Sequence, residues 1–415
     1  MGLTPEQVKL IKATVPVLQD HGNAITTTFY QNMLAENPEL NAIFNTANKV
    51  TGRQPRALAA ALFAYATHID DLGALAPAVE LICHKHASLY IRPEHYKIVG
   101  TYLLAAMKQV LGDALTPEIH DAWAAAYWQL ADVLIAKEAT LYEQSDGWTD
   151  WREFKIAKKV RESDEIASFY LKPVDGKPLP SFRPGQYISV LVDVPGLEYP
   201  QPRQYSLSDK PSPEYYRISV KRELGLNGHP GCVSNVLHDV KQEGDTVKVS
   251  HPFGDFFLTD AKNGEIVEST RPIVLISAGV GLTPLTSILN TVTSKSSASK
   301  RKIHFIHGVR RARARAFKDH VLSLAKQYPN LQVTFFNSSP SDDEKQGEDF
   351  HHAGRIDLRK LDSDEHLFLD DPSTEYYVCG PEGFMQDIGR SLRDLNVDSD
   401  RIHMELFGTG GVPTL

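Results

Sequence analysis

His86, Tyr96 and Glu138 are the residues of this chain whose types and spacing best suit a held metal ligand. Val79, Ile82, His86 and Leu89 recur at helical spacing on one apolar stripe. His84 shares the other side with Glu80, Ala87 and Ser88, so the period points His86 inward and His84 outward. Tyr96, Val99 and Leu103 form a second stripe after the break at Arg92-Pro93. Trp123, Tyr127, Leu130, Leu134, Glu138 and Leu141 form a third, in which Glu138 is the one charge. An unpaired buried carboxylate costs several kcal/mol, so Glu138 needs a donor, and His86 and Tyr96 are available. A histidine that ligates a metal commonly gives its far N–H to such a carboxylate, which raises its basicity. A core histidine satisfied by a neighbour, and a helix-end carboxylate that escapes to water, are the plainer readings of the same residues.

A different chemistry is legible further on. Arg203-Gln204-Tyr205-Ser206 offers an arginine fork for a pyrophosphate and, two residues along a strand, an aromatic ring on the same side. Ser206 can donate a hydrogen bond beside it. An ordinary exposed strand is the alternative. Gly231-Cys232-Val233-Ser234 reads as the start of a helix whose amides face an anion. Gly279-Val280-Gly281-Leu282-Thr283-Pro284 follows an apolar strand. Its glycines would let the backbone approach a pyrophosphate, and Pro284 would begin a helix aimed at it. Cys379-Gly380-Pro381 ends another strand, where open α/β sheets bind ligands. By itself Cys379 reads as a buried strand cysteine. Arg310, Arg311, Arg313 and Arg315 lie where a 2′-phosphate would sit, or form a solvated basic helix start. NADH and NADPH both stay open.

The elements that must position these residues change character along the 415-residue chain. Residues 1–147 read as helices only, opened by the capping box Thr4-Pro5-Glu6-Gln7 and closed by a long helix from Thr116-Pro117-Glu118 to about Tyr142. Residues 148–265 carry short alternating runs such as Gln186–Val192, Tyr216–Val220 and Thr246–Val249 between Pro and Gly clusters, the pattern of an antiparallel barrel. Residues 266–415 alternate apolar strands (Ile273–Ile276, Ile303–His307, Val333–Phe336, Tyr376–Cys379) with helical patterns, which predicts a parallel sheet. The polar, acidic stretch Ser338–Asp349 reads as a mobile loop.

The bulk composition narrows the partners. A net charge of −8 gives no reason to expect nucleic acid. No apolar run approaches the roughly 20 residues of a membrane span. The N-terminus lacks the apolar core of a signal peptide, and Cys83, Cys232 and Cys379 are scattered without metal-type spacing. The cytoplasm and a monomeric state are the expectations.

Tyr30, Phe44, Gln54, Leu58, Lys85, His86, Tyr96 and Glu138, in this order and with these gaps, resemble the globin domain of the flavohaemoglobins. That resemblance implies that His86 ligates haem iron, that Tyr30 hydrogen-bonds bound oxygen with Gln54 assisting, and that Phe44 and Leu58 wall the pocket. Gln54 precedes Pro55 and could instead cap its helix. The later motifs resemble the ferredoxin-reductase superfamily. By that likeness Tyr187, Arg203, Gln204, Tyr205, Ser206, Val233 and Ser234 line FAD. The stretches Gly279–Pro284 and Cys379–Pro381 take NAD(P)H. Glu405-Leu406-Phe407-Gly408 resembles the stretch that meets the flavin: Phe407 would cover its ring, and Glu405, with Lys85, would lie between flavin and haem. The tail Thr409–Val412 departs from the commoner ending.

The resemblance spans the whole chain. It implies an all-α globin domain (1–147), an antiparallel β-barrel FAD domain (148–265) and an α/β parallel-sheet NAD(P)H domain (266–415). It further implies a nitric oxide dioxygenase, in which NAD(P)H reduces FAD, FAD reduces haem, and oxygen and nitric oxide become nitrate. Glu138 and Tyr96 would make His86 a stronger electron donor. The rival readings are a redox-gated sensor of oxygen or nitric oxide, and a haem-free flavin or ferric reductase.

Overall fold

The computed structural model describes residues 2–44, 52–223, 225, 231–262, 265–266, 269–295 and 300–407. The chain divides into two compact units. One comprises Met1–Arg152 with Ser189–Arg203 and Val249–Asp255; the other comprises Glu153–Ile188, Gln204–Lys248 and Phe256–Leu415.

The first unit is chiefly helical. Its helices are α1 (Pro5–Ala13), α2 (Val15–Glu36), α3 (Arg53–Thr67), α4 (Ala76–Ser88), α5 (Pro93–Leu111) and α6 (Pro117–Glu143). The expected capping box is present: Gln7 N–H donates to Thr4 Oγ1 (3.2 Å), and Thr4 N–H donates to Gln7 Oε1 (2.9 Å). Proline in the first turn starts α2, α4, α5 and α6, where its missing N–H costs nothing. Tyr90, at φ 55°, turns the chain between α4 and α5, and Asp146 and Gly147 do so after α6. Ile11, Ile25, Phe29, Met33, Leu103 and Trp123 share one buried core. A Cβ on Gly100 would lie 2.4 Å from the Tyr127 ring, so α5 and α6 meet at a residue that must be small.

A six-stranded antiparallel sheet has the order β4-β3-β6-β1-β2-β5. Its strands are β1 (Arg152–Arg161), β2 (Ile166–Pro173), β3 (Tyr187–Val192), β4 (Gln201–Ser206), β5 (Tyr216–Lys221) and β6 (Thr246–Val249). Leu207, just past β4, bridges Ile218 of β5, which closes the sheet into the expected barrel. A single helical turn, α7 (Cys232–Asn235), follows β5, and Ala261–Lys262 and Glu265–Ile266 form a small hairpin (β7, β8).

The parallel sheet of the second unit has the order β12-β11-β10-β9-β13-β14. Its main strands are β9 (Ile273–Ala278), β10 (Ile303–Val309), β11 (Leu331–Asn337), β13 (Glu375–Cys379) and β14 (Ile402–Glu405), with the short β12 (His352–Ala353) at one edge. Each interior strand buries both faces. Ile273, Leu275, Phe305 and Cys379 face one core, and Val274, Ile276, Ile306 and Val378 face another. Helices α8 (Leu282–Thr293), α9 (Lys318–Gln327) and α10 (Glu382–Asp394) complete the layers. Among the described residues, no helix is long and apolar enough to cross a membrane.

One sequence expectation changes here, and another gains detail. The stretch Ser338–Asp349 runs irregularly between β11 and β12, and its acids have partners. Glu344 accepts from Ala312 N–H (2.8 Å) and from Asn337 Nδ2 (2.6 Å), and Asp349 takes Lys318 (3.0 Å). Its acidity is the partner of nearby donors. Helix α8 begins at Leu282 rather than at Pro284, because Gly279–Gly281 already turns as a 3-10 segment.

Candidate functional site

In the helical unit, α4, α5 and α6 bring His86, Tyr96 and Glu138 together. His86 Nδ1 lies 2.8 Å from Glu138 Oε1 and 3.0 Å from Tyr96 Oη. Tyr96 O–H donates to the same Glu138 oxygen at 2.5 Å. A carboxylate only accepts, so the His86 proton must sit on Nδ1, shared between Glu138 and Tyr96. Nε2 has no hydrogen-bond partner among the described residues. Glu138 is 3% exposed, and its two donors offset the cost of burying it. Burial, and then the Glu138 charge, push the Tyr96 phenol far above its ordinary pKa, so it stays protonated and donates. Tyr127 O–H donates to the Tyr96 carbonyl (2.5 Å) and fixes where that residue stands. Sequence reasoning placed Tyr127 in the stripe without a role. A tyrosine facing a lone glycine on the neighbouring helix was the available signal.

The inward-outward assignment of the two histidines needs correction. His84 is the buried one, 2% exposed, whereas the His86 ring is 33% exposed. Gly254 N–H donates to His84 Nδ1 (3.1 Å), and His84 Nε2 meets Glu80 (3.2 Å), itself paired with Lys137 (2.7 Å). Helical period alone could not foresee that segment 249–255 covers this side. Val79, Ile82 and Leu89 share the half-buried state of His86.

Tyr30 of α2 and Phe44 pack edge to face at 5.5 Å, and Leu58 of α3 packs against the same core. Tyr30 hydrogen-bonds Gln54, and burial raises its phenol well above the ordinary value while that bond pulls it back. Pro55 falls in the first turn of α3, where a helix tolerates it, and Gln54 turns to Tyr30 rather than capping. Thr26 O–H donates to the Pro55 carbonyl (2.8 Å) and ties α3 to α2. Lys85 is half-buried beside His86.

In the barrel, β4 carries Arg203, Gln204, Tyr205 and Ser206, with the first three half-buried and Ser206 buried. Tyr187, Val233 and Ser234 are buried. Arg203 Nη1 donates to the Pro202 carbonyl (2.6 Å). The helix expected after Gly231 is only the single turn α7, continued by a π-type turn. Gly231 is needed for close packing: a Cβ there would lie 2.6 Å from both Glu223 Cβ and Ser234 Oγ.

In the parallel sheet, the Gly279 turn and Cys379–Gly380 meet at the carboxyl ends of β9 and β13. The strand order reverses there, which is where such sheets bind ligands. Gly279 adopts φ 57°. At Gly281 a Cβ would stand 2.2 Å from the Cys379 carbonyl oxygen. It seats the turn on β13. A Cβ on Gly380 would likewise meet the Phe384 ring at 2.5 Å. Val280 packs partly buried against this core, whereas Leu282, Thr283 and Pro284 are buried in the start of α8. Pro381 precedes α10. Cys379 is fully buried, and burial followed by the charge of Glu405 raises its thiol. Glu405 pairs with Cys379 in register, and Phe407 beyond it is 42% exposed. Gly408 and the tail Thr409–Val412 lie outside the described residues.

The fold and these sites define a globin joined to a nucleotide-binding oxidoreductase module. The Globin family matches residues 27–134, and the Oxidoreductase NAD-binding domain family matches residues 275–390. The chain is 50% identical to the flavohemoprotein of Bordetella parapertussis, over 99% of this chain and 100% of that one. It is similar to the crystal structure of a flavohemoglobin from Malassezia yamatoensis with bound FAD and heme (29% identity, TM-score 0.84, covering 98% of this chain and 100% of that one). It is also similar to the FAD/NAD-binding domain of a nitric oxide dioxygenase from Vibrio cholerae (37% identity, TM-score 0.55, 62% and 99% covered). The chain belongs to the flavohemoprotein family.

Proposed function

We propose that the chain is an NAD(P)H-dependent nitric oxide dioxygenase, a monomer in the cytoplasm that converts nitric oxide and oxygen to nitrate. The observation that carries this is His86 with its proton locked on Nδ1 by Glu138 and Tyr96, in one chain with a nucleotide-type glycine turn. Haem would supply an iron for oxygen chemistry, and FAD would divide a hydride's electron pair into single electrons.

The residues present fit those groups. His86 Nε2 has no partner among the described residues, and its lone pair would hold a haem iron. Hydrogen bonds from Nδ1–H to Glu138 make that lone pair more donating. Tyr30, held as a phenol by burial, keeps a proton at Oη for a developing negative charge, with Gln54 orienting it. Phe44 and Leu58 would exclude water.

On β4, Arg203 would clasp the FAD pyrophosphate and Tyr205 would lie against the ring. Gln204, Ser206, Tyr187, Val233 and Ser234 would complete the seat. The Gly279–Pro284 turn and Cys379–Pro381 would orient NAD(P)H, with Phe407 covering the ring until the nicotinamide arrives. Gly408 is proposed with it from the sequence likeness alone. Glu405 and Lys85 would act along the electron path.

The test is nitrate formation from nitric oxide in air, driven by NADH or NADPH, in full-length protein supplied with haem and FAD. Nucleotide-dependent nitrate is expected, and Tyr30→Phe should slow it while speeding oxygen release. Nucleotide oxidation without nitrate would overturn the reading. That outcome would favour a reductase that merely resets a sensor.

A further inference from the structure

We propose that Asp209 is a positioning residue for hydride transfer, which clamps the end of β4 to helix α8 and so sets the flavin seat against the Gly279 turn. The inference rests on the proposed FAD and NAD(P)H sites and adds what fixes one relative to the other. Hydride transfer needs its two reacting atoms roughly 3–3.5 Å apart, and a misplacement of about 1 Å can cost on the order of 100-fold in rate. The two atoms would be carried by different layers, the flavin by the barrel and the nucleotide by the parallel sheet. A contact between those layers must hold the distance.

Asp209 lies just beyond Ser206, the last residue of β4. Helix α8 grips it twice. Ser287 O–H donates to the Asp209 carbonyl (2.6 Å), and Asn290 Nδ2 donates to Asp209 Oδ1 (2.8 Å). Ser287 and Asn290 stand at i and i+3 and so share one face of the helix. Both are buried, and the helix that carries them begins at Leu282, directly after the Gly279–Gly281 turn. His320 Nε2 lies 2.7 Å from Asn290 Oδ1, which keeps the amide N–H of Asn290 turned to Asp209.

The barrel holds the same residue from the other side. Tyr215 O–H donates to Asp209 Oδ2 (3.1 Å), Arg217 Nη1 lies 3.4 Å from that oxygen, and Lys210 N–H donates to Oδ1 (2.9 Å). Arg217 is buried and is itself fixed. It donates through Nε to Ser208 Oγ (3.1 Å) and through Nη2 to the Ser208 carbonyl, and it lies over the Phe317 ring at 4.9 Å. Ser208 N–H donates to the Arg217 carbonyl (2.8 Å), which carries the β4–β5 pairing past Leu207 to the edge of the clamp. Both oxygens of the Asp209 carboxylate thus have donors, drawn from the barrel and from α8. Hydrogen bonds to an ionised acceptor are the short, strong ones, which suits a joint that must not drift. With its oxygens engaged, Asp209 acts on the reaction through position and not through contact with a cofactor.

The experiment is anaerobic stopped-flow reduction of the flavin in the full-length holoprotein, with NADH and NADPH each varied to give a limiting rate and an apparent Kd. D209A should lower the limiting rate at least about tenfold and leave the apparent Kd within about twofold, because the seats themselves are untouched. S287A/N290A opens the clamp from the helix side and should act in the same direction. Should D209A lose FAD, this second variant carries the same test. The triple variant should be no slower than D209A, because both changes break one contact. D209N keeps an oxygen for Asn290 and should recover most of the rate. Amide hydrogen exchange of the resting holoprotein reads the clamp without turnover: S287A/N290A should speed exchange in α8 and leave β1 and β2 as they are. A wild-type limiting rate in S287A/N290A would overturn the proposal and leave the two sites standing, as would unchanged exchange in α8 or a loss carried wholly by a raised Kd. Absence of flavin reduction by either nucleotide in the wild type would overturn the sites and the proposal together.

Discussion

In the helical region the candidate chemistry hangs from side chains. His86, Tyr96 and Glu138 project from three helices and hold one another by hydrogen bonds. In the parallel-sheet region it hangs from backbone. Gly279 takes a left-handed turn, and Gly281 sits so close to Cys379 that no side chain fits. A site made of side chains tolerates loss of one member while its frame stands. A site made of backbone is its frame, so the same size of change reaches the fold. The two regions should therefore fail differently, and the substitutions below separate them.

The largest effect expected is His86→Ala, which should abolish haem retention while FAD stays bound. A Soret band absent beside intact flavin absorbance checks it. Gly281→Ala should strike the other region. Forcing a methyl against a backbone carbonyl costs about 3 kcal/mol or more, so the reductase unit should unfold at lower urea and flavin reduction by nucleotide should fail. The Soret band of the same variant should remain.

Glu138→Gln should retain haem more weakly, by about 10–100-fold, because the amide is a poorer acceptor for the His86 proton. Haem transfer to apomyoglobin measures it, and an unchanged rate would remove Glu138 from the account. The smallest effect concerns acid. Burial holds His307 at about 3 and His304 at about 4, both below the ordinary 6.5. The unfolded chain therefore takes up protons first as the pH falls. Their stabilising contribution is whole above about pH 6.5 and shrinks as the pH drops toward 4. His307 Nε2 also lacks a partner among the described residues. His307→Gln should flatten the fall in thermal midpoint between about pH 7 and pH 5, and an equally steep fall would contradict this.

The same contrast explains what the sequence could reveal. Glu138 was legible because a charge in an apolar stripe is anomalous, and it calls for nearby donors. Tyr96 was legible through helical spacing, and Tyr30 and Leu58 through the family resemblance. The parallel strands were legible as apolar runs between helical patterns. The burial of His84 was not, because its cover comes from Gly254, 170 residues along the chain. The use of Gly281 was not, because its reason lies in the backbone of Cys379. Arg315 looked like its neighbours until the fold set it over the Phe335 ring and against Asn337. Local period reports which side of an element a residue occupies. It does not report what distant segment arrives there.

The central claim is that electrons from a nicotinamide nucleotide reach an iron held by His86. Anaerobic mixing of the haem- and FAD-loaded protein with NADH or NADPH, followed by visible absorbance, tests it most directly. The account predicts that flavin bleaching is followed by conversion of the Soret band from the ferric to the ferrous position. Flavin bleaching with the Soret band left ferric would contradict it.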